Sequence, residues 1–556
     1  MTQSNRRKWH TMALFSGLPS NLLALLLELG AAWILIAPAS GAAAGARPSV
    51  TGKVIAVHSA ATAITSVAVY GSGFGFPART ASIQFKDQLT RSKWRTLPSL
   101  DARVRKWEPS RILCDLPGRF SAGQIRIRTR QGISAAAGWS EAYEYSSYPL
   151  PVSPHGEGNP LAVQLSDDGR LWINQEFHTA FFFFDPQANR VSSIPSPGRA
   201  TKPFGMFWNG ADIATDISSL GEEVMVDPQG FVWFSEGGGF VYGGRNTNRS
   251  RIMRFDPDAP LAEAYRVYLV PGDRNEVMGL AYDTRRRLVW FTQKARGPNP
   301  AKLIGFDPDS TPYLSRFSGE DLSGIEEFPL PSSADDRWWE LSIGQRTYVP
   351  GHIAMDAEGD LWYSGFWGRG DPDSGQAEIG RVDPDTGSLD TFPLPRTIGQ
   401  SFAAAIVGPG PWSMQFAANG DVVFNRYFDS TISRFDRSRL GDPACTELAA
   451  DGANPCIRDF VLPSIDRQRQ TLHSLVVAAD QRVWFTLADE WDDSATPSTA
   501  SVGYLDAEGL PTLLPPLAAF AEGVPFSGAG IAVGSTGEIW FAEFLSNRIG
   551  KLRRTQ

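Results

Sequence analysis

Apolar and polar positions alternate with a period of two along most of the chain, and one alternating phrase recurs seven times. It reads VQLSDDGRLWINQ, VMVDPQGFVWFSE, LAYDTRRRLVWFTQ, IAMDAEGDLWYSG, MQFAANGDVVFNR, LVVAADQRVWFTL and IAVGSTGEIWFAE. Each copy is an apolar run, a turn bearing Gly or Asp, and a second run centred on Trp-Phe. The markers are Trp172, Trp233, Trp290, Trp362, Val423, Trp484 and Trp540, with Val423 the one departure from Trp. In the last copy Ile539, Phe541 and Glu543 fall on one face and Glu538, Trp540 and Ala542 on the other. That is the signature of a hairpin of two half-buried strands. Asp-Gly, Gln-Gly and Asn-Gly pairs supply the positive φ of the tight turns.

A second phrase follows in every unit and a third closes most of them. FFFFDP, IMRFDP, LIGFDP, IGRVDP, ISRFDR, VGYLDA and IGKLRR predict a third strand, and YRVYLVP, IEEFPLP, LDTFPLP and RDFVLP an outer one. Pro ends these strands because it offers no N–H to the ladder. Four strands repeated seven times predict an all-β chain with a seven-bladed β-propeller. The markers lie 56 to 72 residues apart, more than the usual propeller repeat of roughly 40–45, so the surplus falls in loops. The last unit lacks its outer strand. The segment AYEYSSYPLP, residues 142–151, precedes the first unit and carries the missing phrase. It is expected to pair with RIGKL and close the ring, which removes an open edge. The domains predicted are residues 1–46, 47–141 and 142–556.

Composition suits many short strands: 54 Gly, 40 Pro, 33 Phe and 17 Trp in 556 residues. The net charge of −8, with no Lys/Arg-rich block after the N-terminus, argues against a nucleic-acid partner. Arg6, Arg7 and Lys8 lead into an apolar run from Leu22 to Pro38 broken by Glu28, then small-residue sites at Ala37-Pro38-Ala39 and Ala44-Gly45-Ala46. This reads as an export signal, and a periplasmic or extracellular destination follows. The alternative is a retained anchor, although the run falls short of the roughly 20 residues a span needs. Cys445 and Cys456 flank a Pro/Asp/Gly-rich loop and predict a local disulfide, in keeping with export. Cys114 reads as a buried free thiol.

Residues 47–141 form a different unit. Gly71-Ser72-Gly73-Phe74-Gly75, Trp107 with Ile112 to Pro117, and Gly123-Gln124-Ile125-Arg126-Ile127 resemble an IPT/TIG domain. The resemblance implies an Ig-like β-sandwich that serves as a spacer or binding module. The Gly run leads into strands rather than a helix, so it is not a phosphate loop.

The repeated WF-(S/T/A)-E with RFDP and F-x-LP resembles the streptogramin B lyase (virginiamycin B lyase) propellers, and more distantly NHL-type propellers. The resemblance spans about residues 150–556. It implies a Mg²⁺ or other divalent ion and a His general base that open a cyclic depsipeptide by elimination. Counting back from the Trp, His473 falls at the family's first His position and Glu543 at its post-Trp Glu. Ala529 stands where the general-base His belongs and Ser527 where the other Glu belongs. An Ala cannot take a proton, so the family mechanism cannot run unchanged.

Other side chains could hold an ion. Glu176 and His178 follow Trp172, and Glu236 follows Trp233 in the adjoining unit; together they could meet at one mouth of the channel. The alternative is solvated loop residues. Glu222-Glu223 start an inner strand and could line the channel, whereas His352 lies one position off the His473 register and is expected to turn away from the axis. Asp371, Asp373 and Glu378 read as an acidic turn, and His155 with Glu157 as a solvated linker. The Trp repeat itself reads as packing between blades. Two functions remain: a monomeric exported protein that binds a small molecule, peptide or glycan, or a metal-dependent carbon–oxygen lyase. Contact with a membrane is expected only through the N-terminal segment, if it is uncleaved.

Overall fold

The computed structural model describes residues 47–59, 64–87, 93–118, 120, 123–151, 159–176, 180–195, 223–236, 250–261, 263–270, 276–294, 302–310, 326–329, 347–368, 377–395, 410–427, 431–462, 470–489, 501–515 and 528–555. Among them the regular structure is β-strand with short 3-10 turns and no α-helix. None of the described helices is long and apolar enough to cross a membrane. The export signal, His155, Glu157, His178, Glu222, Asp371, Asp373 and Ser527 lie outside the described residues.

Ten strands precede the repeats: β1 (Val54–Ser59), β2 (Ile64–Tyr70), β3 (Ser82–Asp87), β4 (Arg95–Pro98), β5 (Val104–Trp107), β6 (Arg111–Pro117), β7 (Gly123–Thr129), β8 (Gly132–Ile133), β9 (Ala137–Gly138) and β10 (Glu141–Pro149). One sheet runs β10-β1-β2-β6-β5 and the other β4-β3-β7-β8, with β9 on β7. Val54, Val67, Val69, Ile112 and Leu116 of the first sheet share a core with Ile83, Phe85, Leu97, Ile125 and Ile127 of the second. Period-two alternation produces this two-sheet packing. Cys114 is a buried free thiol within it.

The repeats form seven four-stranded antiparallel sheets. Sheet one is β11 (Asn159–Leu165), β12 (Leu171–Glu176), β13 (Ala180–Asp185) and β14 (Arg190–Pro195). Sheet two is β15 (Val224–Val226), β16 (Val232–Glu236), β17 (Arg251–Phe255) and β18 (Tyr265–Leu269). Sheet three is β19 (Glu276–Asp283), β20 (Leu288–Lys294), β21 (Lys302–Phe306) and β22 (Glu326–Pro329). Sheet four is β23 (Thr347–Met355), β24 (Leu361–Gly368), β25 (Glu378–Asp383) and β26 (Ser388–Pro393). Sheet five is β27 (Pro411–Phe416), β28 (Val422–Arg426), β29 (Thr431–Phe435) and β30 (Ile457–Val461). Sheet six is β31 (Gln470–Val477), β32 (Val483–Asp489), β33 (Val502–Leu505) and β34 (Pro511–Leu513). The last three strands, β35 (Gly528–Val533), β36 (Ile539–Glu543) and β37 (Arg548–Arg554), take β10 as their fourth.

The recurring phrase has a local cause. In sheet two the Asp227 carboxylate accepts from the N–H groups of Gln229 and Phe231 in the turn and from Trp233 Nε1 at 2.8 Å. Asp356 does the same for Glu358, Asp360 and Trp362. Gly230 and Gly359 take the positive φ (87° and 92°) that each turn requires. The Asp, Gly and Trp of the phrase are therefore one hydrogen-bonded unit.

Each marker side chain is buried against the next sheet. Trp172 packs with Val224, Val232 and Phe234 of sheet two, and Trp233 with Leu280, Val289 and Phe291 of sheet three. Trp290 meets Ile353 and Tyr363 of sheet four, and Trp362 meets Met414 and Phe424 of sheet five. Val423 meets Leu475 and Phe485 of sheet six, and Trp484 meets Ile531 and Phe541 beyond it. Trp540 returns to Val163, Ile173 and Phe182 of sheet one. Burying each such indole contributes about 1.5–3 kcal/mol or more.

β10 answers what the last strand pairs with. It runs antiparallel to β37, from Tyr143 opposite Arg554 to Pro149 opposite Arg548. Its other edge runs parallel to β1, from Glu141 opposite Ile55 to Tyr145 opposite Ser59. One strand thus serves the N-terminal sandwich and the last repeat, giving a continuous eight-stranded sheet. β1 is buried along its whole length, as a parallel strand covered on both faces should be. Val54 and Ala56 face the sandwich core, and Ile55 and Val57 face Trp484 and Tyr504.

Candidate functional site

The first strand of most repeat sheets is interrupted by a bulge. The register shifts between Val277 and Leu280, Pro350 and Ile353, Pro411 and Met414, Leu472 and Leu475, and Gly528 and Ile531. A bulge frees backbone groups from the ladder and re-aims a side chain. In sheets three, five and six the residue two after the marker takes up the freed groups. Thr292 Oγ1 accepts from Gly279 N–H at 2.8 Å and donates to Gly351 O at 3.0 Å in sheet four. Asn425 Oδ1 accepts from Ser413 N–H at 2.6 Å, and its Nδ2 donates to His473 O at 2.9 Å in sheet six. Thr486 Oγ1 accepts from Ser474 N–H at 3.3 Å and donates to Ala529 O at 2.6 Å. These side chains clasp neighbouring sheets together at the bulges.

Two residues of non-adjacent sheets meet near these bulges. His352 Nε2 of β23 lies 3.1 Å from Glu223 Oε2, just ahead of β15. Sheet three stands between those strands, so the contact crosses the space onto which the first strands converge. A side chain on Gly279 of sheet three would press on Ile353 N at 2.9 Å, so the glycine lets the bulged strand of sheet four pack close. The expectation that His352 turns away is therefore corrected: the bulge at Pro350–Ile353 redirects it. Both side chains keep some exposure, 25% and 17%. His352 Nδ1 is buried and has no hydrogen-bond partner among the described residues.

Trp412 is half-buried and packs against the core around Met414 and Phe424. Ser364 Oγ lies within hydrogen-bonding distance of the carbonyls of His352 (3.4 Å) and Trp412 (3.1 Å), holding the two bulges side by side. The Trp412 ring sits 5.9 Å from that of Tyr427, which in turn lies 5.6 Å from the His473 ring. The aromatic run Trp412, Tyr427 and His473 is thus linked to the carboxylate–imidazole pair through the Ser364 bridge between the two backbones.

His473 and Glu543 each have their own hydrogen-bond partners. His473 is buried, and its Nδ1 lies 3.1 Å from Ser474 Oγ. Burial drives its imidazole down to about 4, so it is neutral at pH 7. Glu543 is wholly buried. Its carboxylate accepts from Tyr145 Oη and Ser147 Oγ of β10 and from Ser546 Oγ at 3.0 Å. Burial raises its carboxyl above the ordinary range, against the hydrogen bonds from Tyr145 and Ser546 that pull it down. A side chain on Gly550 would run into the Phe541 ring at 2.2 Å and Glu543 Oε1 at 2.7 Å, so the glycine makes room for both. Glu543 is thus spent on fixing β10 to the last sheet. Ala529, at the general-base position, buries its methyl group in the core formed with sheet one.

The backbones of Glu176 and Glu236 end β12 and β16, opposite Asn159 and Arg251. Glu378 sits on β25 with Tyr363 Oη at 3.4 Å. Cys445 and Cys456 are joined in a disulfide. Beside that loop, Glu378, Thr391, Pro393 and Glu447 line a cleft of about 530 Å³ at the rim, away from the bulges.

The pairing of Glu223 with His352 had a signal in the sequence. Each lies ten residues before its marker, Trp233 and Trp362. Equal offsets put the two residues at equivalent places ahead of their Trp strands.

No family model and no curated protein matches the chain. Among solved structures, it is similar to a streptogramin B lyase at 17% identity, with 74% of this chain and 98% of that one covered and a TM-score of 0.47. A catalytically inactive virginiamycin B lyase from Staphylococcus aureus with quinupristin is similar at 16% identity, covering 74% and 99%, with a TM-score of 0.46. An auxiliary nutrient binding protein from Bacteroides thetaiotaomicron is similar at 10% identity, covering 91% and 99%, with a TM-score of 0.37.

Proposed function

We propose that this chain is an exported, monomeric binding protein. A seven-bladed β-propeller formed by residues 142–556, closed by β10, holds a small molecule, peptide or glycan against the axial wall of Glu223, His352 and Trp412. An Ig-like module of the IPT/TIG type over residues 47–141 is fused to it. The observation that carries the binding reading is the state of Glu543. A carboxylate enclosed by Tyr145, Ser147 and Ser546 is in use as a structural acceptor, and a general-base position filled by Ala529 cannot move a proton. Elimination by the lyase route needs both. Binding needs only the polar and aromatic side chains that remain accessible at the wall.

The test is thermal shift of the full chain against panels of oligosaccharides, peptides and small depsipeptides, with bound metal measured in parallel. A ligand of the native state raises the melting temperature. The binding reading expects a stabilising ligand whose effect is lost in Trp412→Ala and kept in Glu543→Gln. A tightly held divalent ion that disappears in His473→Ala or Glu543→Gln, together with turnover of a depsipeptide, would establish the lyase instead.

A further inference from the structure

The N-terminal module carries charge of the opposite sign to the rest of the molecule. Residues 47–141 contain 15 Lys/Arg and 5 Asp/Glu, whereas residues 142–556 contain 34 and 54. A net +10 module thus sits on a −20 body, a separation concealed in the overall −8.

Three of these cations, Lys86, Arg126 and Arg128, stand on one sheet face. In the sheet of β3, β4 and β7, Ile83, Phe85, Leu97, Ile125 and Ile127 point into the core. The alternate positions form the opposite face. Gln84 pairs across from Arg126 and Thr96, Ser82 from Arg128 and Pro98, and Lys86 from Gln124. No carboxylate stands in these rows. Trp94, just ahead of β4, has the Arg126 guanidinium 4.3 Å and the Lys86 ammonium 5.1 Å from its ring centre. Gln84 Oε1 accepts from Arg126 Nε at 2.7 Å and holds that guanidinium in place. Arg128 is exposed. The module's ion pairs lie elsewhere, on Lys53, Arg103, Arg105, Lys106 and Arg111. Among the described residues Lys86, Arg126 and Arg128 have no carboxylate partner.

We propose that this sheet face binds an acidic polysaccharide, carboxylated or sulfated, independently of the axial wall. Residues two apart on a strand lie roughly 7 Å from each other, so the cations form a flat, repeating row rather than an enclosing pocket. Such a row matches a polymer with regularly spaced anions. The disulfide between Cys445 and Cys456 belongs to an oxidising compartment, where glycans are the prevalent polyanions. Trp94 is occupied by Lys86 and Arg126, whereas single-stranded nucleic acid needs free rings on which to stack.

The experiment is affinity electrophoresis and calorimetry of the full chain with polygalacturonate, with neutral dextran and poly(dT) as comparisons. Wild type should bind polygalacturonate, ignore dextran, and release the polymer at about 0.5 M NaCl through screening. Arg126→Gln/Arg128→Gln should bind roughly 30-fold more weakly with an unchanged melting temperature. Arg285→Gln/Arg287→Gln, an equal charge change on the other domain, should bind as wild type. If the double variant fails to fold, the exposed Arg128→Gln alone serves, with a loss of about fivefold. No binding by wild type, full binding by the Arg126/Arg128 variant, or tighter binding of poly(dT) would overturn the proposal. None of these outcomes depends on whether the axial wall finds its ligand.

Discussion

Glu543 shows how one position can match a family's motif and yet do different work. It stands where the resemblance to the lyase propellers implies a functional Glu, and its carboxylate turns toward β10 and receives Tyr145. Replacing it with Gln preserves an acceptor for Tyr145, so stability in urea should change by less than about 1 kcal/mol. Ala should cost about 2–4 kcal/mol, because a buried hydroxyl is orphaned and a cavity is left. His473 supplies a pH signature. Its folded pKa of about 4 lies below the roughly 6.5 of an unfolded His. The unfolded chain therefore binds the extra proton, and this contribution to stability is intact above pH 6.5 and lost as the pH falls toward 4. Relative to His473→Leu, wild type should lose about 3 kcal/mol over that window. Parallel stability–pH curves for the two would contradict the buried neutral imidazole. For Glu223 and His352, a double-mutant cycle should return a coupling of roughly 0.5–1 kcal/mol, the value for a partly exposed pair. A coupling of zero would mean that the two do not meet in solution.

At the scale of elements, the hairpins were legible because their cause is local. Asp227 and Asp356 bind their own turns and their own Trp within seven residues, so the phrase carries its reason with it. The orientation of His352 was not legible, because a bulge changes which way a side chain points without changing composition. The dual role of β10 was only half legible. Its Leu-Pro ending marks an outer strand, but nothing in a strand's own pattern tells whether one edge or both are paired. A proline at Tyr145 tests that role. It removes a ladder N–H from a strand with neighbours on both sides, and should cost about 3 kcal/mol or more. Trp233→Ala should cost a similar 3–5 kcal/mol, by emptying the contact with sheet three and stranding Asp227. Denaturation midpoints of the two variants measure both effects.

Over the whole molecule, the sandwich and the repeats are joined through shared structure rather than a linker. Glu141 accepts hydrogen bonds from Tyr143 (2.5 Å) and Tyr504 (2.7 Å) and pairs with Arg482 (3.1 Å). Lys53 reaches Asp506 at 3.3 Å, and Tyr70 Oη both donates to the carbonyl and accepts from the N–H of Leu513. Desolvation and Arg482 act on Glu141 in opposite senses, and the balance with its tyrosine partners holds its carboxyl below the ordinary range. This contact ties the sandwich to sheet six as well as to the last repeat, so the two domains should melt as one. The measurement that bears most directly on this account is amide hydrogen exchange across β10 in the full chain. Tyr143 to Tyr148 should exchange only through global unfolding, as slowly as the strands of the other sheets. Fast exchange there, with the repeats still protected, would mean that the circle is not closed by this strand.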